Sequence, residues 1–335
     1  MSFKRFDTED IVISSDSITS PAWSNNAIKL ETFFTKGSQT GGTSGTYYWN
    51  MYNADPEPAI STAAIQFSAA YGNRVGSGSV PYNSTVIGKS PSATVYGQFR
   101  TLVNGDEDTN FSFVSASTSV TPDSVYFISV ERARFKEKIL PGSLSLSLKG
   151  KTGGNTLTLT DNSLTSSVDT FTDGGRVYPI YAGSNGVVTS NAIEYGKLFP
   201  DLGLIVLSGD QLRKHGHNFV TAIDTGIAPT TANMNSLYRG LNSGSNFTLR
   251  SEETLSSNYV FVRARNSEFN YSTNPSNITG SGELRHSIMI DSPQSYVTSV
   301  GLYNDNNDLI AISKLSSPLL KDFTKEALIR IKLDY

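Results

Sequence analysis

Residues 327–333, ALIRIKL, set Ala327, Ile329, Ile331 and Leu333 against Arg330 and Lys332 with a period of two. Successive side chains of an extended chain point to opposite faces, so this stretch predicts a strand with one apolar and one charged face. Just upstream, 296–303 and 309–315 flank NDNND, a run of turn formers that predicts a hairpin. Further back, YVFVRAR (259–265), GLIVLS (203–208), RVYPIYA (176–182), TLTLT (156–160), SLSLSLK (143–149) and VYFISVE (125–131) are short apolar or alternating runs punctuated by Gly, Asn and Asp. These too predict strands.

Helical spacing is confined to three places. One follows Pro56 or Pro58 and aligns Ile60, Ala63, Ala64, Phe67 and Tyr71. A second follows Ser90 or Ser92, aligns Val95, Tyr96, Phe99, Leu102 and Val103, and stops at Gly105. A third covers 231–242 with Met234, Leu237, Tyr238 and Leu241 on one side. The expected fold is therefore all-β, with two β-sandwich-like domains, a few short helices and extended arms. The expected parts are an N-terminal arm at 1–35, a β-rich domain with two helices at 36–150, and a β-rich domain at 151–335 ending in the hairpin and C-terminal strand. The Gly/Ser/Thr run at 36–46 has loop composition. YFISVERARF (126–135) and YVFVRARNSEF (259–269) form one short internal echo, too brief to establish a repeat.

Composition narrows the function classes. The 335 residues are 37% hydrophobic but only 17% charged, with a formal net charge of −3 and no large basic block. The electrostatic footprint of a phosphate-backbone binder is missing, so nucleic acid is not an expected partner. There is no cysteine, which removes disulfides and thiolate metal sites as sources of stability. MSFKRFDTEDIVI lacks the apolar core of a secretory signal, and no apolar run approaches a membrane span. The expectation is a soluble protein made in a cytoplasm, without membrane insertion.

Chemistry-bearing motifs are weak. Gly88-Lys89-Ser90 and Gly150-Lys151-Thr152 lack the earlier glycine of a phosphate-binding loop, since Asn83 and Ser145 stand there. His215 and His217 flank Gly216 and are the best metal candidates, but a site would need His286 and a carboxylate to converge on them. Asp106, Glu107 and Asp108 read as a solvated turn rather than a calcium loop or a glycosidase pair. No nucleophile elbow or metalloprotease helix is present, so no catalytic residue, cofactor or metal is expected. The candidate interface residues are Phe3, Phe6, Ile11, Val12 and Ile13, in an arm at 1–24 expected to dock on a neighbouring chain. To these are added Arg132, Arg134, Lys136 and Lys138, read as a same-face positive row on a strand.

Five stretches, FKRFDTEDIV at the start, GQFRTLVNGDED (97–108), ERARFKEKILPGSLSL (131–146), GRVYPIYAGSNGVV (175–188) and SVGLYNDNNDLIAISKL (299–315), resemble a family of virion structural proteins. That family belongs to marine T-even-like contractile-tailed phages of cyanobacteria and related hosts. The resemblance implies a baseplate wedge component of the tail, located in the virion. It would have other tail proteins and a second copy of itself as partners, and no enzymatic activity. Two rivals stand beside it. One is a receptor- or glycan-binding fibre or adaptor protein using Tyr47, Tyr48 and Trp49. The other, ranked lowest, is a virion polysaccharide depolymerase.

Overall fold

The computed structural model describes the chain except for residues 1–5, 22–26, 31–32, 38–46, 59–61, 81–84, 86–89, 151–154, 167–169, 215–229 and 335. Strands hold 47% of the residues and helices 16%, so the fold is β-dominated with few short helices, as expected. In chain order the first strands are β1 (Ile11–Pro21), β2 (Ala27–Lys29), β3 (Tyr48–Tyr52), β4 (Ile65–Asn73), β5 (Phe113–Ser115), β6 (Thr118–Val120), β7 (Ser124–Val130), β8 (Lys138–Ile139) and β9 (Ser145–Lys149). Next come β10 (Thr156–Asp161), β11 (Thr170–Thr172), β12 (Gly175–Ser184), β13 (Val187–Ser190), β14 (Gly196–Phe199) and β15 (Leu204–Ser208). The series ends with β16 (Asn246–Ala264), β17 (Ser295–Tyr303), β18 (Leu309–Lys321) and β19 (Ala327–Asp334). The described helices are α1 (Pro91–Asn104), α2 (Arg132–Phe135), α3 (Gly209–Lys214), α4 (Thr230–Gly244) and α5 (Ile288–Asp291).

The chain forms two compact units. A central unit holds Ser20–Glu253, and a terminal unit combines Met1–Thr19 with Thr254–Tyr335. The division thus falls elsewhere than 150/151. On either side of that point β9 and β10 pair antiparallel from Thr156↔Lys149 to Leu159↔Leu146, which keeps both strands in the central unit.

In the central unit the strand order β16-β9-β10-β12-β14-β15-β7-β4-β3 makes one large antiparallel sheet. Phe67, near one end of that order, meets Phe247, at the other, edge to face at 5.3 Å. The sheet therefore curls back on itself around an apolar interior. On that inner side α4 packs Met234, Leu237 and Leu241, the residues its helical period predicts. Tyr238 donates to the Phe33 carbonyl at 3.0 Å, which satisfies its phenol at the rim of this core. The other side of the sheet is covered by α1, which starts with Pro91 in its first turn and ends at Gly105. Gly105 has φ +73°, a left-handed conformation that glycine adopts without strain. Val95, Tyr96 and Val103 are buried as expected, whereas Leu102 points to solvent.

The helix expected after Pro56 or Pro58 is instead β4, and Ile60 lies outside the described residues. β4 sits between β3 and β7, with Trp49↔Ala69 on one side and Ala70↔Phe127 on the other. A strand covered on both faces needs apolar residues at nearly every position. Its run then loses the period of two and imitates helical spacing.

In the terminal unit β16 pairs with β19 from Ser257↔Asp334 to Ala264↔Ala327, and β1 flanks β16 on the order of the sheet. Val260↔Ile331 and Val262↔Ile329 are cross-strand pairs on one face and make a small buried core. Val297, Val300, Leu302 and Leu315 of the hairpin β17–β18 pack against it. A two-stranded hairpin has little stability alone, so this packing is what holds it. The NDNND turn forms as expected. Asn304 Oδ1 accepts the Asp308 amide at 2.8 Å, and Asn307 takes φ +66°.

Candidate functional site

The expected positive row does not form. β7 ends at Val130, and Arg132, Ala133, Arg134 and Phe135 make the single turn α2, so their side chains cannot share one strand face. The cause is Phe135, which is buried against Gly203. Gly203 lies at φ +67°, and a Cβ there would come within 2.4 Å of the ring, so the ring lodges where a side chain is missing. Arg132 lies over the Phe135 ring at 5.8 Å, and Lys136 turns the chain with φ +61°. Lys138 belongs to β8 and sits opposite Glu252 of β16. The two Arg-Ala-Arg tripeptides also differ, since Arg263 and Ala264 end β16 as a strand.

The N-terminal arm, expected to dock on a neighbour, folds onto its own chain where it is described. Phe6 lies 4.8 Å from the Phe269 ring and packs against the terminal core. Asp10 is buried, with Oδ2 2.8 Å from Nη2 of Arg265 and Oδ1 3.3 Å from Nε of Arg263. That ion pair raises the Arg265 pKa, chiefly through the hydrogen bond that Arg265 donates to Asp10. β1 then runs beside β16, and Ser15 donates to Asn258 at 2.9 Å. Ile11, Val12 and Ile13 nevertheless remain exposed, Val12 at 59% and Ile13 at 66%. Phe3, His215 and His217 lie outside the described residues.

Chemistry-bearing side chains are engaged in holding the fold. Arg176 of β12 reaches two carboxylates at once, with Nη2 2.8 Å from Asp201 Oδ1 and 2.9 Å from Glu252 Oε2. Burial alone would raise the Asp201 carboxyl, but the hydrogen bonds and charge of Arg176 outweigh it and hold the group below its ordinary range. A glycoside-cleaving pair needs one carboxyl kept protonated, whereas Asp201 is held toward its ionised form. Asp106 caps a turn by accepting the Asp108 amide at 2.8 Å, as the solvated-turn reading expects. Lys321, fully buried at the end of β18, donates to Asn266 O, Asn270 Oδ1 and Asp322 O at 2.9 to 3.0 Å, which ties the hairpin to the loop after β16.

The carboxyl pushed upward is Glu194. Burial is the main cause, with Lys197 and the Val114 amide opposing it; Oε2 accepts that amide at 2.8 Å. A native pKa above the unfolded value means that the folded chain binds the extra proton. Its stability contribution then falls as pH rises through that pKa. Glu194→Gln keeps the acceptor and removes the titration. Urea denaturation between about pH 4 and pH 7 should show the stability of the wild type falling relative to that of the variant as pH rises. Equal pH slopes would contradict the assignment.

The aromatic platform is also absent. Trp49 is fully buried, and only Tyr48 is exposed, donating to Gln98 at 2.6 Å. Two open grooves of about 470 and 520 Å³ are lined by neutral polar side chains such as Asn162, Thr165 and Tyr181, or by Asn104, Asp106 and Phe171. No group of three His, Cys, Asp or Glu residues that could hold a metal occurs among the described residues, and His286 is exposed.

What sets the terminal unit apart is its surface. Of the large apolar side chains exposed among the described residues, 16 of 24 belong to this unit, which has less than a third of the chain. Single exposed apolar residues are normal, but here they are concentrated around a small core. On β17–β18 it is one-sided. Val300 and Leu302 face inward, while Tyr303, Leu309, Ile310 and Ile312 face out. The Arg176 triad, the Asp10 pair and Lys321 gave no sequence signal, because their members are separated by long stretches of chain. Compared with known proteins, the chain matches no family model, no curated protein and no solved structure.

Proposed function

We propose that the chain is a non-enzymatic structural subunit of a phage tail, a baseplate wedge component that works by docking to neighbouring tail proteins through its terminal unit. The observation that carries this is the concentration of exposed apolar side chains on that unit, on top of a core of four buried residues. Each Å² of apolar surface left in water costs about 25 cal/mol, so exposed side chains such as Val12 or Ile13 are stabilised when a partner covers them. The resemblance of 299–315 to virion structural proteins falls on the same unit. In this reading the subunit acts geometrically, its terminal unit completing a surface that the next protein recognises.

The test replaces exposed residues without touching the core. Val12→Asp with Ile13→Asp should leave the melting temperature of the purified chain nearly unchanged. Incorporation into phage particles should drop about tenfold, the effect of losing about 1.4 kcal/mol of docking free energy. Wild-type incorporation of this folded variant would overturn the proposal.

A further inference from the structure

Where the end of β18 meets the loop after β16, three chemistry-bearing side chains are buried together. Lys321, Asn270 and Glu268 are 0%, 5% and 8% exposed. Lys321 Nζ stands 2.9 Å from Asn270 Oδ1 and 3.0 Å from each of the Asn266 and Asp322 carbonyls. Asn270 Nδ2 donates to the same Asn266 carbonyl at 2.7 Å. One oxygen thus holds both nitrogens, and the carbonyl end of the Asn270 amide is turned toward the lysine. Glu268 is close enough for its charge to act on Lys321, and its Oε2 accepts the Arg265 amide at 3.4 Å. Between Glu268 and Asn270 stands Phe269 at φ +56°, a left-handed conformation that a bulky residue adopts only where its surroundings impose it. Its ring packs on Phe6 and its carbonyl accepts the Ser295 hydroxyl, which hold it there.

We propose that Lys321 and Asn270 join in an intramolecular isopeptide bond, with Glu268 carrying the proton. All three acceptors around Nζ are neutral, and an ammonium ion taken out of water against neutral groups is costly. Burial pushes the Lys321 amine below its ordinary pKa, with Asp322, Glu268 and Glu326 opposing. A neutral amine has two hydrogens and a lone pair. The hydrogens suffice for the two backbone carbonyls, and the lone pair is left for Asn270 Cγ. Attack forms the Cγ–Nζ bond, and Glu268 takes a proton from Nζ. Glu268 then gives a proton to Nδ2, the Cγ–Nδ2 bond breaks and ammonia leaves. One amide replaces another, so nothing is oxidised or reduced and no co-reactant is required. Holding amine and amide in contact makes the step unimolecular, which is what lets so unreactive a pair combine. The reaction occurs once per chain and is not turnover.

The bond closes the chain between positions 51 residues apart and fastens the hairpin to the loop after β16. A cross-link of that span restricts the unfolded chain, as a disulfide would, and the restriction grows with loop length. The terminal unit has a core of only four buried residues, so covalent closure supplies stability that its packing lacks.

Mass spectrometry of the purified full chain tests this. Its intact mass should lie about 17 Da below that of the sequence, the mass of the ammonia lost. Trypsin does not cut after an acylated lysine, so a digest should contain one branched peptide joining 266–285 to 315–325. Glu268→Gln, close to the wild type in shape, should keep the full mass, be cut after Lys321 and melt at a lower temperature. A wild-type chain that trypsin cleaves completely after Lys321 overturns the proposal, as does an ammonia loss that maps to a different peptide. A branched peptide in Glu268→Gln overturns the role given to Glu268. The wild-type digest decides whether the bond exists even where the variant does not fold.

Discussion

Ile331→Asp unfolds the terminal unit, whereas Lys332→Asp one position further leaves it folded. Ile331 is 3% exposed, lies opposite Val260 and shares its face with Val262 and Ile329. A carboxylate placed there has no cation or donor within the core, and burying it costs several kcal/mol. Whole domains are stable by only about 5–15 kcal/mol, and a core of this size supplies less than most, so the unit should not survive the change. Lys332 points away from that core and pairs with Asp334 at 2.9 Å at the surface, and its substitution changes only screened charge. Trp49, the tryptophan among the described residues, is buried in the central unit. Tryptophan emission should therefore stay native in Ile331→Asp while far-ultraviolet dichroism and amide protection of β16 and β19 are lost. Wild-type protection of the Val260 and Val262 amides in that variant would contradict the assigned face.

Arg176→Met destabilises the central unit by about 3 kcal/mol, the lower end of the cost of removing one partner from a buried ion pair. Glu252 has only 5% of its side chain exposed and would keep a desolvated charge. Asp201 keeps 25% exposed, so water screens part of its cost and the lower end applies. Arg176→Lys should recover little, because one ammonium cannot present two forks to two carboxylates. The pH dependence follows from Asp201, whose native pKa is depressed. Its contribution is present above the unfolded carboxylate pKa and is lost as pH falls through the native one. With methionine at 176 that contribution disappears, so stability should rise less steeply from acid to neutral pH. Chemical denaturation at several pH values reads both effects; equal midpoints at neutral pH would contradict the role given to the triad.

The strand alternation of 327–333, the hairpin around NDNND and the helices at 91–104 and 230–244 were legible because each depends on neighbours within a few residues. ALIRIKL carries its own period, and Gly105 carries its own stop. The reading failed where tertiary burial changed the pattern. β4, covered on both sides, lost its alternation and looked helical. The charges from Arg132 to Lys138 looked like a strand face until the burial of Phe135 bent the chain into a turn. The candidate interface was half legible in the same way. Ile11, Val12 and Ile13 are exposed, but Phe6 and Asp10 fold into their own unit.

By itself the sequence determined the β-dominated class, the positions of most strands and turns, and the two faces of the C-terminal strand, all set by local backbone geometry and by the period of apolar residues. Only the tertiary structure decided that the N- and C-terminal segments form one unit, that Arg176 gathers Asp201 and Glu252, and that one hairpin face is left apolar and uncovered. Those features depend on contacts between residues far apart in the chain. Period and propensity hold no record of which distant segments will share a core or leave a surface bare.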